Sequence, residues 1–160
     1  MNNTKSYIIP FKGLTEGNHP FSFIVDNEFF EKYDFSDVKG GNIIIDVLLS
    51  KKAQLLELKF SINGEINIMC DRCLEYFLLP FKYKTILYIK FGNIFEEIEE
   101  NIITIPYSEK EINILQYIYE FIHLNLPYRR IHPNDLNGKS LCNKQMLEKI
   151  NQYIKNKNED

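Results

Sequence analysis

The chain has 160 residues, 44% hydrophobic and 26% charged, with twelve Phe and ten Tyr, enough large apolar side chains for one domain with a core of its own. Three cysteines, an odd number, argue against a secreted disulfide framework and for a reducing cytoplasm. No stretch is long and apolar enough to span a bilayer, the start MNNTKSYIIPFKG has none of the marks of a signal peptide, and a net charge of −3 argues against a uniformly basic nucleic-acid binder.

We read a single domain over residues 1–155 and a frayed tail over 156–160. The first two-thirds has strand character. Lys5–Leu14 and Phe21–Val25 are short strands, and Asp26 caps a brief helix through Phe29 and Phe30 that ends near Tyr33. From Asn42 to Ser50 the residues Ile43, Ile45, Val47 and Leu49 share one face, which predicts a strand. Gln54–Ile62 and Glu65–Met69 flank Asn63-Gly64, the pair best suited to a type I′ turn, and predict a hairpin. Phe77, Leu79, Phe81, Tyr83, Leu87, Ile89 and Phe91 then line one face of a long strand, with Lys82, Lys84 and Lys90 on the other. Ile102–Ile105 is one more strand.

The last third has helical periodicity. Ser108 and Glu111 have capping-box spacing, which predicts a helix from Glu109 to about His123. Its wet stripe runs through Asn113, Gln116, Glu120 and His123, so His123 needs no ligand to explain it. Pro127 stops the chain from continuing. A second helix, Asn143–Ile154, is expected to bury Leu147, Ile150 and Ile154. The whole reads as an α+β domain, a mostly antiparallel twisted sheet with two C-terminal helices.

The average charge hides an asymmetry. Six acids stand against one base from Asn93 to Glu111, and seven bases against two acids from Tyr128 to Lys157, a polarity that suits either the steering of a partner or two solvated faces. Within the basic part, Tyr128, Arg129 and Arg130 combine a stacking ring with two phosphate-pairing guanidiniums. The same cations would also suit a helix C-terminus.

Chemistry concentrates at Cys70-Asp71-Arg72-Cys73. Three readings are open. A redox couple belongs at a helix N-terminus, where the dipole lowers a thiol pKa; here LEYFLLPFKYK follows, which alternates as a strand. A zinc knuckle needs two further ligands, and His132 and Cys142 complete a Cys₃His set, although they lie ten positions apart. The third reading is a pair of buried thiols, Cys70 continuing the face of Ile66 and Ile68. No Gly-rich phosphate loop, H-E-x-x-H or nucleophile elbow occurs, so no catalytic residues are assigned and no small-molecule substrate is implied.

INGEINIMCDRCLEYFLLPF, followed later by LNLPYRRIHP and GKSLCN, resembles the YceD-like family of large ribosomal RNA subunit accumulation proteins. The most specific part is G-x₅-C-D-R-C-L-E, Gly64–Glu75, supported by L-P-x-x-x-[IL]-H, Leu126–His132; the ending HPNDLNGKSLCNKQML is similar to a Bacteroidetes-type branch. The resemblance implies a bacterial, cytoplasmic, non-enzymatic factor in ribosome biogenesis. Its partner would be the large-subunit precursor, its rRNA, or a ribosomal protein. Family members often carry extra cysteines in the C-terminal loop, which strengthens a zinc site of Cys70, Cys73, His132 and Cys142. Arg72, Tyr128, Arg129, Arg130, Lys139 and Lys144 are the expected RNA- or partner-binding residues. The other function classes are a protein-binding adaptor that touches no RNA and a C-x-x-C thiol oxidoreductase.

Overall fold

The structure is a computed structural model and describes residues 6–34 and 36–158; Lys5, at the head of the first expected strand, lies outside them. The elements run β1 (Ile8–Pro10), β2 (Gly17–Val25), α1 (Asn27–Glu31), β3 (Val38–Lys51), β4 (Leu55–Met69), β5 (Tyr76–Gly92), β6 (Glu96–Glu99), β7 (Ile102–Pro106), β8 (Glu111–Asn113), α2 (Leu115–Leu124) and α3 (Lys144–Asn158). A six-stranded sheet has the order β2-β3-β4-β5-β7-β6, and β1 pairs with β8 in a separate two-stranded ribbon. Neighbours in the large sheet are antiparallel except β5 and β7, which are parallel. The mostly antiparallel α+β architecture read from the sequence is therefore the one present.

The period-2 pattern sets the core. Ile43, Ile45, Val47 and Leu49 of β3, Leu56, Leu58, Phe60 and Ile62 of β4, and Leu87 and Ile89 of β5 are all buried. Phe29 and Phe30 of α1 and Ile118, Phe121 and Ile122 of α2 are buried in the same cluster, with the Phe121 ring edge-on to Phe60 at 5.1 Å. On the opposite face Ile24, Ile44, Leu48 and Leu78 are exposed.

Three local expectations are overturned. Asn63-Gly64 is not a turn: β4 runs unbroken from Leu55 to Met69, with Gly64 paired to Ile43 on one side and Phe81 on the other. The reversal comes earlier, at Lys52–Gln54, where Lys52 N–H donates to Leu55 O at 2.9 Å. Gly64 serves a close approach. A Cβ there would overlap the Asn42 carbonyl and come within 2.7 Å of Ile43 Cα, so only glycine lets β3 and β4 meet at this point. Second, Glu111–Asn113 is strand β8, not helix. Glu111 is claimed by its pairing with Pro10, and α2 starts two residues after Asn113, whose Oδ1 accepts from Leu115 N–H at 2.9 Å. Tertiary strand pairing outcompetes the capping-box signal. Third, α3 buries none of its residues, and Ile154 is exposed; its apolar stripe meets little of the core.

His123 is also more than a wet-stripe residue. It is half-buried, its Nε2 lies 2.7 Å from Ser36 Oγ and its Nδ1 2.8 Å from Tyr119 O. Its ring stacks on Tyr119, which stacks on Tyr33, each pair with centroids 3.9 Å apart. The histidine pins the end of α2 to the segment entering β3.

Candidate metal centre

The β4–β5 connection, residues 70–75, holds the knuckle Cys70–Cys73. Cys70 N–H donates to Glu75 O at 2.8 Å and Leu74 N–H to Cys70 O at 3.0 Å, which closes the turn. Leu74 takes φ of 62°, a left-handed conformation uncommon for a side chain without a polar group. Both thiols face inward, and Cys70 has no exposed surface.

His132 and Cys142 reach the knuckle because the loop between them folds back on itself. Asn134 bridges Ser140, Leu141 N–H donates to Pro133 O, and Asp135 Oδ1 accepts from Asn137 and Lys139 N–H at 2.8 and 2.9 Å. Gly138, at φ of 79°, supplies the left-handed residue the turn requires. Ten positions of sequence thus shrink to a Cys142 Sγ–His132 Nδ1 distance of 3.7 Å. Cys70 Sγ lies 3.7 Å from Cys142 Sγ, and Cys73 Sγ 3.3 Å from His132 Nδ1.

All four ligand atoms fall within 4.8 Å of one another. A tetrahedron with metal–sulfur bonds of about 2.3 Å and a metal–nitrogen bond of about 2.0 Å has edges of roughly 3.5–3.8 Å. Two of the three short separations fall within those edges and the third, Cys73 Sγ to His132 Nδ1 at 3.3 Å, is slightly shorter, so the group could hold a metal ion.

The surroundings favour the thiolate at two of the three cysteines. Burial pushes the Cys70 thiol up, but hydrogen bonding from the backbone of Cys73, His132 and Arg72 outweighs it and brings the pKa down to about 6. Burial also raises Cys142, and hydrogen bonds from Ser140 and Arg72 more than reverse it. For Cys73 burial prevails and the thiol is raised. Burial lowers His132, yet contact with Cys70 and Cys142 leaves it raised overall. Two thiols made more acidic, a third raised by burial and an imidazole share protons that a divalent cation would displace on binding.

Several supporting groups were not singled out in the sequence. Asp71 Oδ2 accepts from Arg130 N–H at 2.8 Å, while Asp71 N–H donates to Arg130 O at 2.6 Å. Asn143 Nδ2 donates to Glu75 Oε1 at 2.6 Å, and Asn143 Oδ1 accepts from Met146 N–H at the start of α3. Phe77 lies against the His132 ring at 4.5 Å. The Asn before an amphipathic run and the Asn-Asp-x-x-Gly turn were the available signals.

The expected binding residues divide. Arg72 is turned inward: its Nη2 donates to Ser140 Oγ at 2.8 Å, and both Nε and Nη2 lie 3.4 Å from Cys142 Sγ. Arg130 is 23% exposed and ion-paired to Asp37 at 3.3 Å. Tyr128 is fully exposed at 104%, and Arg129, Lys139 and Lys144 also face solvent.

A family model described as "Large ribosomal RNA subunit accumulation protein YceD" matches residues 58–160, the part of the chain that holds the knuckle, the loop and both C-terminal helices. No curated protein and no solved structure matches the chain.

Proposed function

Because the chain belongs to the YceD family, we propose that it is a non-enzymatic factor of large-subunit ribosome biogenesis, held in shape by zinc and acting in the cytoplasm on the large-subunit precursor through its rRNA. No helix among the described residues is long and apolar enough to cross a membrane.

The observation that carries this reading is the convergence of Cys70, Cys73, His132 and Cys142 beneath a loop whose Tyr128 and Arg129 are exposed. A structural zinc site is closed by four protein ligands and contributes folding energy. Here it would rigidify a loop of 133–141 that has little other secondary structure and is flanked by Arg129, Arg130 and Lys144. With three thiolates, zinc leaves one net negative charge, and Arg72 beside Cys142 balances it. Tyr128 supplies a face on which an unpaired base stacks, and Arg129, Lys139 and Lys144 supply phosphate contacts. Arg72 and Arg130 support the loop from within. A thiol oxidoreductase fits less well. The knuckle leads into β5 rather than a helix, and Cys142 and His132 crowd the thiol that would have to be attacked.

A second reading, a protein-binding adaptor, is favoured by β6 and the residues beside it, where Ile94, Phe95 and Ile98 are exposed among Glu96, Glu97, Glu99 and Glu100. A basic ribosomal protein would complement that edge.

Co-sedimentation on sucrose gradients tests the proposal. The tagged chain should migrate with large-subunit precursors. Arg129→Glu with Lys139→Glu should weaken that association and flatten the log–log salt slope of rRNA binding by about one to two units. Unchanged association and slope would remove the loop from the interface. Lost association at an unchanged slope would favour the adaptor.

A further inference from the structure

At the other end of the long β4–β5 hairpin lies a groove of about 550 Å³, in the range of small-ligand sites. It is lined by Lys12, Lys52, Lys90, Phe91 and Tyr107, with Lys51 and Glu109 also in its wall. β4 has fifteen residues, so this groove and the thiol cluster stand on the order of 45 Å apart along the strand.

Two features of the groove have no role in the packing of the domain. One is Tyr107. Its ring lies nearly parallel to Phe91, with centroids 6.2 Å apart and planes at 21°, yet the residue is 69% exposed. Phe91 is in turn seated on buried Phe11 at 5.7 Å. The stack fixes one face of Tyr107 and leaves the other open to solvent. The second feature is charge. Lys51 is consumed by the carbonyls of Phe11, Lys12 and Leu14, at 2.7–3.3 Å, and so only shapes the wall. Lys12, Lys52 and Lys90 are exposed; Lys52 reaches Glu57 at just 4.0 Å, a weak surface pair. Three cations oppose one lining carboxylate, Glu109. The outward side of β5 continues the positive line with exposed Lys84 and Lys82.

An open aromatic platform ringed by mobile ammonium groups is the chemistry that takes a base on the ring and phosphates on the lysines, without reading sequence. We propose that this groove binds single-stranded RNA, as a second contact remote from the loop over the thiol cluster. The proposal rests on the ribosome-biogenesis reading above and gives it a two-point grip: an unpaired segment held at each end of one rigid hairpin.

The test uses the full metal-replete chain and a fluorescein-labelled single-stranded RNA 12-mer, followed by anisotropy across a salt series, with the matching RNA duplex as competitor. Tyr107→Ala should weaken binding about tenfold, the loss of one stacked base, while Tyr107→Phe should bind like wild type. Lys12→Gln with Lys90→Gln should flatten the log–log salt slope by about 0.7 per lost contact. Because all three residues are exposed, circular dichroism should show an unchanged fold. Wild-type affinity and slope in the groove variants would overturn the proposal, as would a duplex that competes as well as the single strand. If such variants still co-sediment with large-subunit precursors, the groove alone is wrong. If the wild-type chain neither binds the 12-mer nor co-sediments, the biogenesis reading falls with it.

Discussion

The two ends of the β4–β5 hairpin solve different problems with the same pair of strands. At the knuckle end, four side chains from three segments are driven into one buried cluster, and their polar partners are satisfied within the protein. At the far end, aromatic and cationic side chains are left open around a groove. The thiols and the imidazole already contact one another and Arg72, and a metal ion could join them. The exposed rings and lysines have few such partners within the chain. The contrast sets a packed polar cluster against an open surface.

Removing the metal should break this contrast most strongly. Purified chain is expected to carry one zinc per molecule by elemental analysis. Chelation, or Cys70→Ser, should cost about 4 kcal/mol if the site is normally held a thousandfold above its dissociation constant, which is about 10 °C of melting temperature at this size. Amide exchange should accelerate across residues 70–75 and 132–143 and leave the start of β4 protected. Equal acceleration at both ends would mean that the centre is not local.

Gly64→Ala strikes between the ends and should weaken both together. Its new methyl would meet the β3 backbone, with Ile43 Cα at 2.7 Å, a strain of about 1–3 kcal/mol readable as a lower denaturant midpoint. A wild-type midpoint would show that β3 and β4 separate without cost at that point.

Arg72→Gln tests whether the charge beside Cys142 belongs to the centre. Zinc affinity, by competition with a chromophoric chelator, should fall about tenfold, the low end for a group that supports metal ligands. The groove end should bind RNA as before. An unchanged zinc affinity would return Arg72 to the list of surface contacts.

The smallest effect is expected from His123, which anchors α2 beside the knuckle end. Burial lowers its pKa below 6.5, so the folded protein resists its protonation. Its contribution to stability should be complete above about pH 6.5 and decline as pH falls through the window beneath that value. With zinc saturating, the difference in denaturant midpoint between wild type and His123→Gln should shrink from pH 7.5 to pH 5.5. A constant difference would show that the imidazole does not titrate in that window.

How much of this was legible in the sequence varies with the range of the forces involved. The alternation of Ile43, Ile45, Val47 and Leu49 needs only the two-residue period of a strand, and it located a core face correctly. The knuckle was visible as Cys70 and Cys73, and His132 and Cys142 were the residues at hand to complete a four-ligand set. Their spacing argued against convergence, because the fold-back of residues 133–141 depends on a bridge from Asn134 to Ser140 that no local pattern announces. Arg72 and Arg130 looked like surface cations; what hides them are Ser140, Cys142 and Asp37, each far along the chain. The groove at Phe91 and Tyr107 left no motif at all, since its lysines come from the first turn, the β3–β4 reversal and β5.

By itself the sequence determined the class of the fold, the inward faces of the long strands, the helical character of the C-terminal third and the four residues that gather at the knuckle. These follow from side-chain period, turn chemistry and residue type, all properties of neighbouring residues. Only the tertiary structure decided that Asn63-Gly64 would run straight on as a strand, that Glu111 would pair with Pro10 rather than open a helix, and that α3 would half-bury Met146 and Leu147 while leaving Ile154 exposed. In each case the local preference is worth about 1 kcal/mol, and strand pairing across the sheet, or the absence of a surface to pack on, outweighs it.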